Sequence, residues 1–262
     1  MVAAGILLSR ILGLIRNRVF AHYFGTSAAA DAFNAAFKLP NFLQNLFGEG
    51  VLSASFIPVY VRLLQKDRTE ARRVGLAVGS LLALAVSVVV LVGVLLTPLF
   101  VTVFTPGFEG EKRQATIRLA RILFPGAGLL VLSAWCLGVL NSHGRFFLSY
   151  VAPVFWNIAI IGALLAFGGG SSGFRLAEIA AWGSVIGSGL QFGIQLPTVM
   201  GLLGGLVPSL RRGADAVRTI MRNALPVFAG RGVVQISSYV DTIIASLLPT
   251  GAVAALSYAQ VL

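Results

Sequence analysis

The sequence predicts an all-α protein that crosses a membrane several times. Of its 262 residues, 57% are hydrophobic and only 11% are charged, and its mean hydropathy is +0.89. A soluble domain of this size carries about a quarter charged residues. Apolar runs of about 20 residues, the length that crosses a bilayer as a helix, recur along the chain. These observations exclude an ordinary soluble domain.

The apolar runs predict seven complete membrane-spanning helices and the start of an eighth, separated by short polar joins. The predicted spans are 2–24, 30–62, 74–104, 116–140, 147–168, 177–203, 219–248 and a segment from 252. The second is unusually long, and we expect it to break near Pro40 and Gly48–Gly50. No small-residue cleavage site follows Met1, so we expect the first span to stay in the membrane. Because Leu262 lies inside an apolar run, we expect the chain to be a piece of a longer protein.

Basic residues are distributed unevenly over the joins, in a chain of net charge +11. The joins after spans two, four and six, with their flanks, hold ten Lys and Arg residues, against five in the other joins. Because basic loops stay in the cytoplasm, this predicts a cytoplasmic N-terminus. The excess is a topology signal, so we expect no nucleic acid partner. The remaining basic residues fall within predicted spans: Arg10, Arg16, Arg18, Lys38 and Arg231.

The first span has a polar face, although most of it is apolar. By the helical period, a sector about 120° wide contains Ser9, Arg10, Gly13, Arg16 and Asn17. Arg18 lies among the apolar residues near the helix end, where its side chain can reach the interface. Charged residues inside a bilayer are costly and usually face a water-filled cavity or a partner. The face therefore predicts a hydrated surface within the membrane.

Polar residues also share faces on later spans. Asp31, Asn34 and Lys38 lie within about 60° on the second span, and Pro40, Asn41 and Glu49 follow. The seventh span carries Arg231, Gln235 and Ser238 on one face. The sixth carries a stripe that is more typical of helix packing than of a site: Ser184, Ser188, Gln191 and Gln195.

The polar faces of spans one, two and seven predict a basic cavity with an anionic ligand. A phosphate or pyrophosphate is favoured, because the planar guanidinium fork binds paired oxygens. The alternative is that the arginines only form ion pairs with acids on neighbouring helices, for which Asp31, Glu49 and Asp241 are available.

No constellation of residues points to an enzyme. The nine acids are scattered without a DxD motif, and His143 has no acid or nucleophile beside it in sequence. The single cysteine, Cys136, allows no cysteine-based metal cluster. No P-loop is present either. We therefore expect no catalytic residue, no metal site and no cofactor.

Residues 9–60 carry a dense string of motifs, SRILGLIRNRVFAHYFGTSAAADAF, FKLPNFL and EGVLSASFIP. This string resembles the start of the MurJ/MviN family, the lipid II flippases of bacterial peptidoglycan synthesis. Later pieces agree with the same family: TPGF (105–108), LFP (123–125), APVFWN (152–157), QLP (195–197), QIS (235–237) and SYAQ (257–260). The resemblance covers essentially the whole chain.

The resemblance implies an exporter-type transporter with two lobes of six helices around a central cavity. Residues 1–206 would form the first lobe, 207–218 a cytoplasmic linker, and 219–262 the start of the second lobe. The implied substrate is an anionic undecaprenyl-pyrophosphate-linked sugar, flipped to the outer leaflet of the bacterial cytoplasmic (inner) membrane. Membrane lipid and the cell-wall synthesis machinery are the implied partners. A site for a coupling ion would lie outside this chain.

The resemblance also implies which residues face the substrate: Ser9, Arg10, Arg16, Asp31, Lys38, Asn41 and Glu49. Arg231 joins them on the strength of its own polar face. The predicted hinges are Gly13, Pro40, Gly48 and Gly50. Two positions depart from the family pattern, because Gln44–Asn45 and Val261 stand where arginines are usual.

Two other cargo classes are alternatives, and the charge within the spans argues against the second of them. A related exporter could carry a different anionic lipid-linked oligosaccharide, and the polar faces alone do not distinguish the two cargoes. A drug or cation exporter would require an excess of acids in its cavity, whereas here the bases within the spans outnumber the acids.

Overall fold

The computed structural model describes residues 2–47, 52–171, 173–205 and 214–260, and within these ranges the protein is helical, with no β-strand. The described elements are α1 (Val2–Phe24), α2 (Ala28–Phe47), a π-helical turn (Leu52–Phe56), α3 (Ile57–Lys66), α4 (Arg68–Phe104), α5 (Gly110–Ser142), α6 (Phe146–Phe167), α7 (Gly173–Leu203), α8 (Ala214–Ser246) and α9 (Ala252–Ala259). The predicted all-α class is confirmed.

Helices α4, α5, α6 and α7 are each long and apolar enough to cross a bilayer. Helix α4 turns a row of large apolar side chains outwards, at Val88, Leu91, Leu95, Leu99 and Val103. A protein surrounded by water rarely exposes such a row of large apolar side chains, whereas a membrane protein covers it with the bilayer. The protein is therefore a multi-pass membrane protein.

Helix α5 forms the centre of the bundle and packs against α2, α4 and α7. Its buried residues join two apolar clusters. One contains Phe20, Phe33 and Phe124, and the other contains Tyr60 and Trp135. Helix α1 packs mainly against α6, which leaves part of its polar face open to a cavity.

The break that the sequence predicts at Pro40 is absent. Helix α2 passes through Pro40 and ends at Phe47. Proline removes one backbone donor and crowds the carbonyl four residues earlier, but transmembrane helices tolerate it where neighbouring helices support the backbone. Pro40 is buried against such neighbours. The other predicted break, at Gly48–Gly50, lies outside the described residues, and the chain is next described in the π-helical turn from Leu52.

Most helices begin earlier than the apolar pattern predicts, and α4 and α8 illustrate why. Helix α4 starts at Arg68 because Asp67 caps it, its Oδ1 accepting hydrogen bonds from the backbone N–H of Thr69 (2.8 Å) and Glu70 (3.2 Å). Helix α8 already starts at Ala214, inside the predicted linker 207–218. The hydrophobic pattern marks the part of a helix within the bilayer, whereas caps and polar turns extend it beyond.

The polar stripe of α7 serves helix packing, as the sequence predicts. Ser133 of α5 donates a hydrogen bond to Gln195 Oε1 (2.7 Å) and accepts one from Gln191 Nε2 (2.9 Å). On the neighbouring helix, Trp156 Nε1 donates to Ser184 Oγ at 3.1 Å. The stripe therefore ties α7 to α5 and to α6.

Glycines on α7 allow α6 to approach closely, in a G-x-x-x-G arrangement of Gly183 and Gly187. A Cβ atom at Gly187 would lie 2.9 Å from the backbone Cα and O of Trp156, and one at Gly183 would lie 2.8 Å from the Cβ of Ala163. Backbone cannot move aside as a side-chain tip can. The contact therefore fixes where α6 holds Trp156.

We expect Gly187→Leu to destabilise the protein by about 1–3 kcal/mol or more, because the added side chain must push α6 away from α7. The matched control is Gly189→Leu on the same helix, where a Cβ atom meets nothing within 4 Å. Thermal unfolding of the purified full-length protein would measure both. Equal melting temperatures for the two variants would contradict the close packing.

Candidate functional site

A polar pocket of about 270 Å³ lies between α1, α2, α6 and the end of α9. Its polar lining residues are Arg16, Asn17, Asn34, Lys38, Asn41, Trp156, Ser257, Tyr258 and Gln260. The aromatic rings of Phe20, Phe33 and Phe37, together with Ile160, form the rest of its described wall. Three of the predicted site residues, Arg16, Lys38 and Asn41, thus meet in one place.

Arg16 is held in the pocket by neutral groups. Its Nη2 and Nε donate hydrogen bonds to Asn17 Oδ1 at 2.9 and 3.2 Å. Its guanidinium carbon lies 4.7 Å from the centroid of the Trp156 ring, within the range of a cation–π interaction. No carboxylate among the described residues forms an ion pair with it. Its remaining N–H donors are available to a ligand.

Lys38 connects the pocket to α8. Its Nζ donates a hydrogen bond to Thr242 Oγ1 at 2.9 Å, and the hydroxyl of Tyr239 donates to the Lys38 backbone carbonyl at 3.1 Å. An ammonium has three donors, so this bond to Thr242 leaves capacity for others. The hydrogen-bond partner of the ammonium is thus a neutral hydroxyl, while the carboxylate of Asp241, also on α8, acts on it electrostatically.

The described lining of the pocket contains two cationic side chains, Arg16 and Lys38, and no carboxylate. In a site partly shielded from water, two fixed positive charges favour an anion and disfavour a cation. The guanidinium of Arg16 can bind two oxygens of one group, whereas the ammonium of Lys38 acts as a point charge. The arrangement suits a phosphate or pyrophosphate.

Asp31 lies elsewhere, in a buried network with 1% of its surface exposed. Its Oδ2 accepts from Lys112 Nζ (2.6 Å) and from the backbone N–H of Gly251 (2.7 Å), and its Oδ1 accepts from the backbone N–H of Ala254 (2.8 Å). In this conformation both carboxylate oxygens are occupied by protein donors. The structure therefore gives Asp31 a structural role, and contact with substrate stays a prediction for it.

The remaining predicted residues are dispersed. On α1, Arg10 is exposed and Ser9 is half-buried. Arg10 lies about 9 Å from Arg16 along the helix axis. Glu49 lies outside the described residues, as do Gly48 and Gly50. Arg231 belongs to α8, but its side chain is outside what the structure describes. Gly13 and Pro40 lie within continuous helices, and their hinge roles stay predictions.

Trp156, Tyr258 and Gln260 are among the lining residues that the sequence interpretation did not assign to the site. Helix α6 presents Trp156, and the α9 segment presents Tyr258 and Gln260. Their helices carry no charged face, so periodicity gives no reason to select them. The only signal was that they fall in the APVFWN and SYAQ motifs of the resemblance.

Comparison with known proteins agrees with the resemblance. Residues 20–262 match the family model described as "Lipid II flippase MurJ". The chain is 33% identical to a probable lipid II flippase MurJ of Bdellovibrio bacteriovorus, covering 99% of this chain and 50% of that protein. It is 32% identical to a lipid II flippase MurJ of Burkholderia cenocepacia, covering 97% and 50% respectively. The chain thus spans about half the length of these curated relatives.

Solved structures show the same fold. A lipid II flippase MurJ in an inward closed conformation superposes with a TM-score of 0.81 and 26% identity, covering 99% of this chain and 53% of that one. A multidrug transporter of the MATE family, in its outward-facing conformation, reaches a TM-score of 0.70 at 17% identity, over 91% and 53%. The second likeness concerns the fold alone. Taken with the match to the family model over residues 20–262, these findings show that the chain belongs to the MurJ family.

Proposed function

We propose that this chain forms the first part of a lipid II flippase, which moves the lipid-linked peptidoglycan precursor from the cytoplasmic to the outer leaflet by alternating access. The observation that carries the proposal is the meeting of Arg16 and Lys38 in one pocket without a described carboxylate. The names of the relatives and the family model support the choice of cargo.

The pyrophosphate of the substrate would bind to Arg16 and Lys38, and the amides of Asn17, Asn34 and Asn41 would donate to the sugar head or to phosphate oxygens. The polyprenyl tail would stay in lipid. No bond is made or broken, so the protein acts as a transporter and not as an enzyme. We propose no cofactor, and an ion or the membrane potential could drive the cycle from a site outside this chain.

The network around Asp31 would close the outer end of the pathway. It joins the start of α2 to the first turn of α5 and to the N-terminus of α9, which belongs to the predicted second lobe. Separating the lobes at that end requires Asp31 to release the two backbone N–H groups of α9. With a cytoplasmic N-terminus in a bacterial inner membrane, as the basic joins predict, this end faces outwards.

The second candidate is a flippase for another anionic lipid-linked oligosaccharide. The pocket would recognise charge, and its asparagine amides would bind many sugars. The cell-wall synthesis machinery is the expected partner only for a lipid II flippase, because the product must be handed to it.

The test uses the full-length gene in a bacterium whose own lipid II flippase can be shut off. Restored growth, together with accumulation of lipid II in the outer leaflet, supports the proposal. Failure to restore growth by a protein that is correctly inserted and abundant in the membrane would overturn the assignment of lipid II. In that case, flipping of other polyprenyl-pyrophosphate sugars in vesicles would test the second candidate.

A further inference from the structure

An apolar cavity of about 400 Å³ lies on the other side of α2 from the polar pocket. Four helices surround it: α2 contributes Leu39 and Leu43, α4 contributes Val92, α5 contributes Phe124, and α8 contributes Val240. Almost no polar atom lines it. Lys38 and Asn41 of α2 face the polar pocket, so this one helix separates two chemically opposite sites.

Among the residues that the structure describes, the wall of the cavity contains no free hydrogen-bonding group that would favour water. Tyr239 exposes its ring to the cavity, but its hydroxyl donates outside, to the Lys38 carbonyl. Thr97, one turn from Gly93, bonds back to the Gly93 carbonyl at 2.7 Å. Apolar cavities of this kind exclude water and take up hydrocarbon. Left empty, the lining side chains would lose dispersion contacts on one side.

The mouth of the cavity lies beside the outward apolar row of α4. Val92 and Val240 stand at its rim with 44% and 46% of their surfaces exposed. Leu91 and Leu95, in the outward apolar row of α4, lie within one turn of Val92, and Ile244 lies about one turn from Val240. Since that row faces acyl chains, a chain can enter the cavity sideways without leaving an apolar environment. The polar pocket is not part of this route.

The depth of the cavity selects the leaflet. It is lined by the second half of α4, towards Phe104, by α8 close to its end at Ser246, and by Leu39 and Leu43 in the second half of α2. Under the predicted topology α4 and α8 end on the outer side, where α2 begins, so the cavity extends from the outer end of these helices towards the middle of the bilayer. A chain entering here would therefore come from a lipid of the outer leaflet.

From these observations we infer that the cavity between α2, α4, α5 and α8 is a binding site for an acyl chain of an outer-leaflet phospholipid. The chain fills the gap between α2 and α8, the helix that Lys38 and Tyr239 tie to α2. Lipid bound there stabilises the arrangement of these helices in the present conformation. The inference does not depend on the cargo of the transporter.

The experiment uses the full-length protein in vesicles of phosphatidylethanolamine and phosphatidylglycerol that contain a phospholipid with a photoreactive acyl chain. After irradiation, mass spectrometry locates the labelled residues. We expect label on the buried residues Leu39, Leu43 and Phe124, besides label on the outward row of α4. Label confined to the outward row would overturn the inference.

Variants at the rim sharpen the test. Val92→Phe or Val240→Phe narrows the mouth, and we expect either to reduce label on Phe124 about ten-fold, by the cost of overpacking an occupied space. The matched controls are Leu95→Phe and Ile244→Phe, whose side chains stand outside the cavity with 64% and 56% exposed. If one of the two rim variants fails to fold, the label on Phe124 in the other variant tests the site. Unchanged label in a folded rim variant would contradict the site.

A second probe identifies the source of the hydrocarbon. A polyprenyl phosphate with a photoreactive tail replaces the phospholipid probe in otherwise identical vesicles. We expect it to leave Phe124 unlabelled while the phospholipid labels it. If the polyprenyl probe alone labels Phe124, the cavity holds the tail of a transported substrate, and the assignment to a bilayer lipid is wrong.

Discussion

We expect Arg16→Ala in the full-length protein to lower lipid II transport by about 10- to 100-fold. The estimate follows from losing hydrogen bonds to a charged group, each worth about 1.5–3 kcal/mol. Arg16 is the residue of the polar pocket best suited to a pyrophosphate. Asn17 orients its guanidinium, the Trp156 ring lies against it at 4.7 Å, and no described carboxylate neutralises it. Growth after depletion of the host flippase, and flipping in vesicles, would measure the loss.

The matched control for this variant is Arg18→Ala. Arg18 lies two residues further along α1 and is exposed, outside the residues that line the pocket. The Arg18→Ala substitution removes the same charge from the same helix. Because Arg18 lies outside the pocket, we expect transport to stay near the wild-type level. Arg16→Lys is the informative intermediate. It keeps the charge but loses the planar fork, and we expect it to restore part of the activity.

Protein levels in the membrane must be equal for these comparisons. If Arg16→Ala and Arg18→Ala lower transport equally, Arg16 contributes only positive charge or membrane insertion. If neither variant changes transport, the polar pocket is not where the substrate head binds, and the exposed Arg10 becomes the better candidate on the same helix.

The spacing of apolar and polar residues at the helical period predicted much of the fold and part of the site. Helix α1 has the bounds that its apolar run predicts, Val2–Phe24, and Arg16 and Asn17 do share the face that meets the pocket. This succeeds because the orientation of a side chain about its own helix axis depends only on residue spacing. A single helix therefore carries enough information to identify its polar face.

Residue spacing along one helix does not predict which parts of the protein its polar face contacts. Asp31 and Lys38 share a face of α2, yet they lie about 10 Å apart along it. Lys38 reaches the polar pocket, whereas Asp31 meets Lys112 of α5 and the start of α9. Those partners are 81 and 220 residues away in sequence. Trp156 was missed for the same reason, because only the packing of α6 against α1 brings it to Arg16.

The second large effect should come from Asp31→Ala, which we expect to lower the stability of the full-length protein by about 3–5 kcal/mol. The substitution leaves the ammonium of Lys112, with only 16% of its side chain exposed, without its carboxylate. It also leaves the backbone N–H groups of Gly251 and Ala254 without an acceptor at the positive end of α9. Asp31→Asn keeps the shape and one acceptor oxygen, so a smaller loss is expected. Thermal unfolding measures both.

The chain offers a matched control in a second ion pair, between Arg118 and Glu178. Its Nε–Oε1 distance is 2.9 Å, close to that of the Lys112–Asp31 pair, but its side chains are 48% and 36% exposed. Water and salt screen such a pair, and removing it costs about 0–1 kcal/mol. We therefore expect Glu178→Gln to leave the melting temperature almost unchanged. Similar losses for Glu178→Gln and Asp31→Ala would show that burial of the Asp31 network is not what stabilises it.

Stability and transport together decide what Asp31 does. If its carboxylate closes the outer end, Asp31→Asn should loosen the contact between α2 and α9. Ala254 is fully buried in that contact, so the thiol of an added Ala254→Cys substitution should then react faster with a thiol reagent that cannot cross the membrane. Wild-type protein carrying the same cysteine is the reference. If stability and thiol reactivity both stay at the reference while transport is lost, the carboxylate contacts substrate in another conformation, as the sequence resemblance implies.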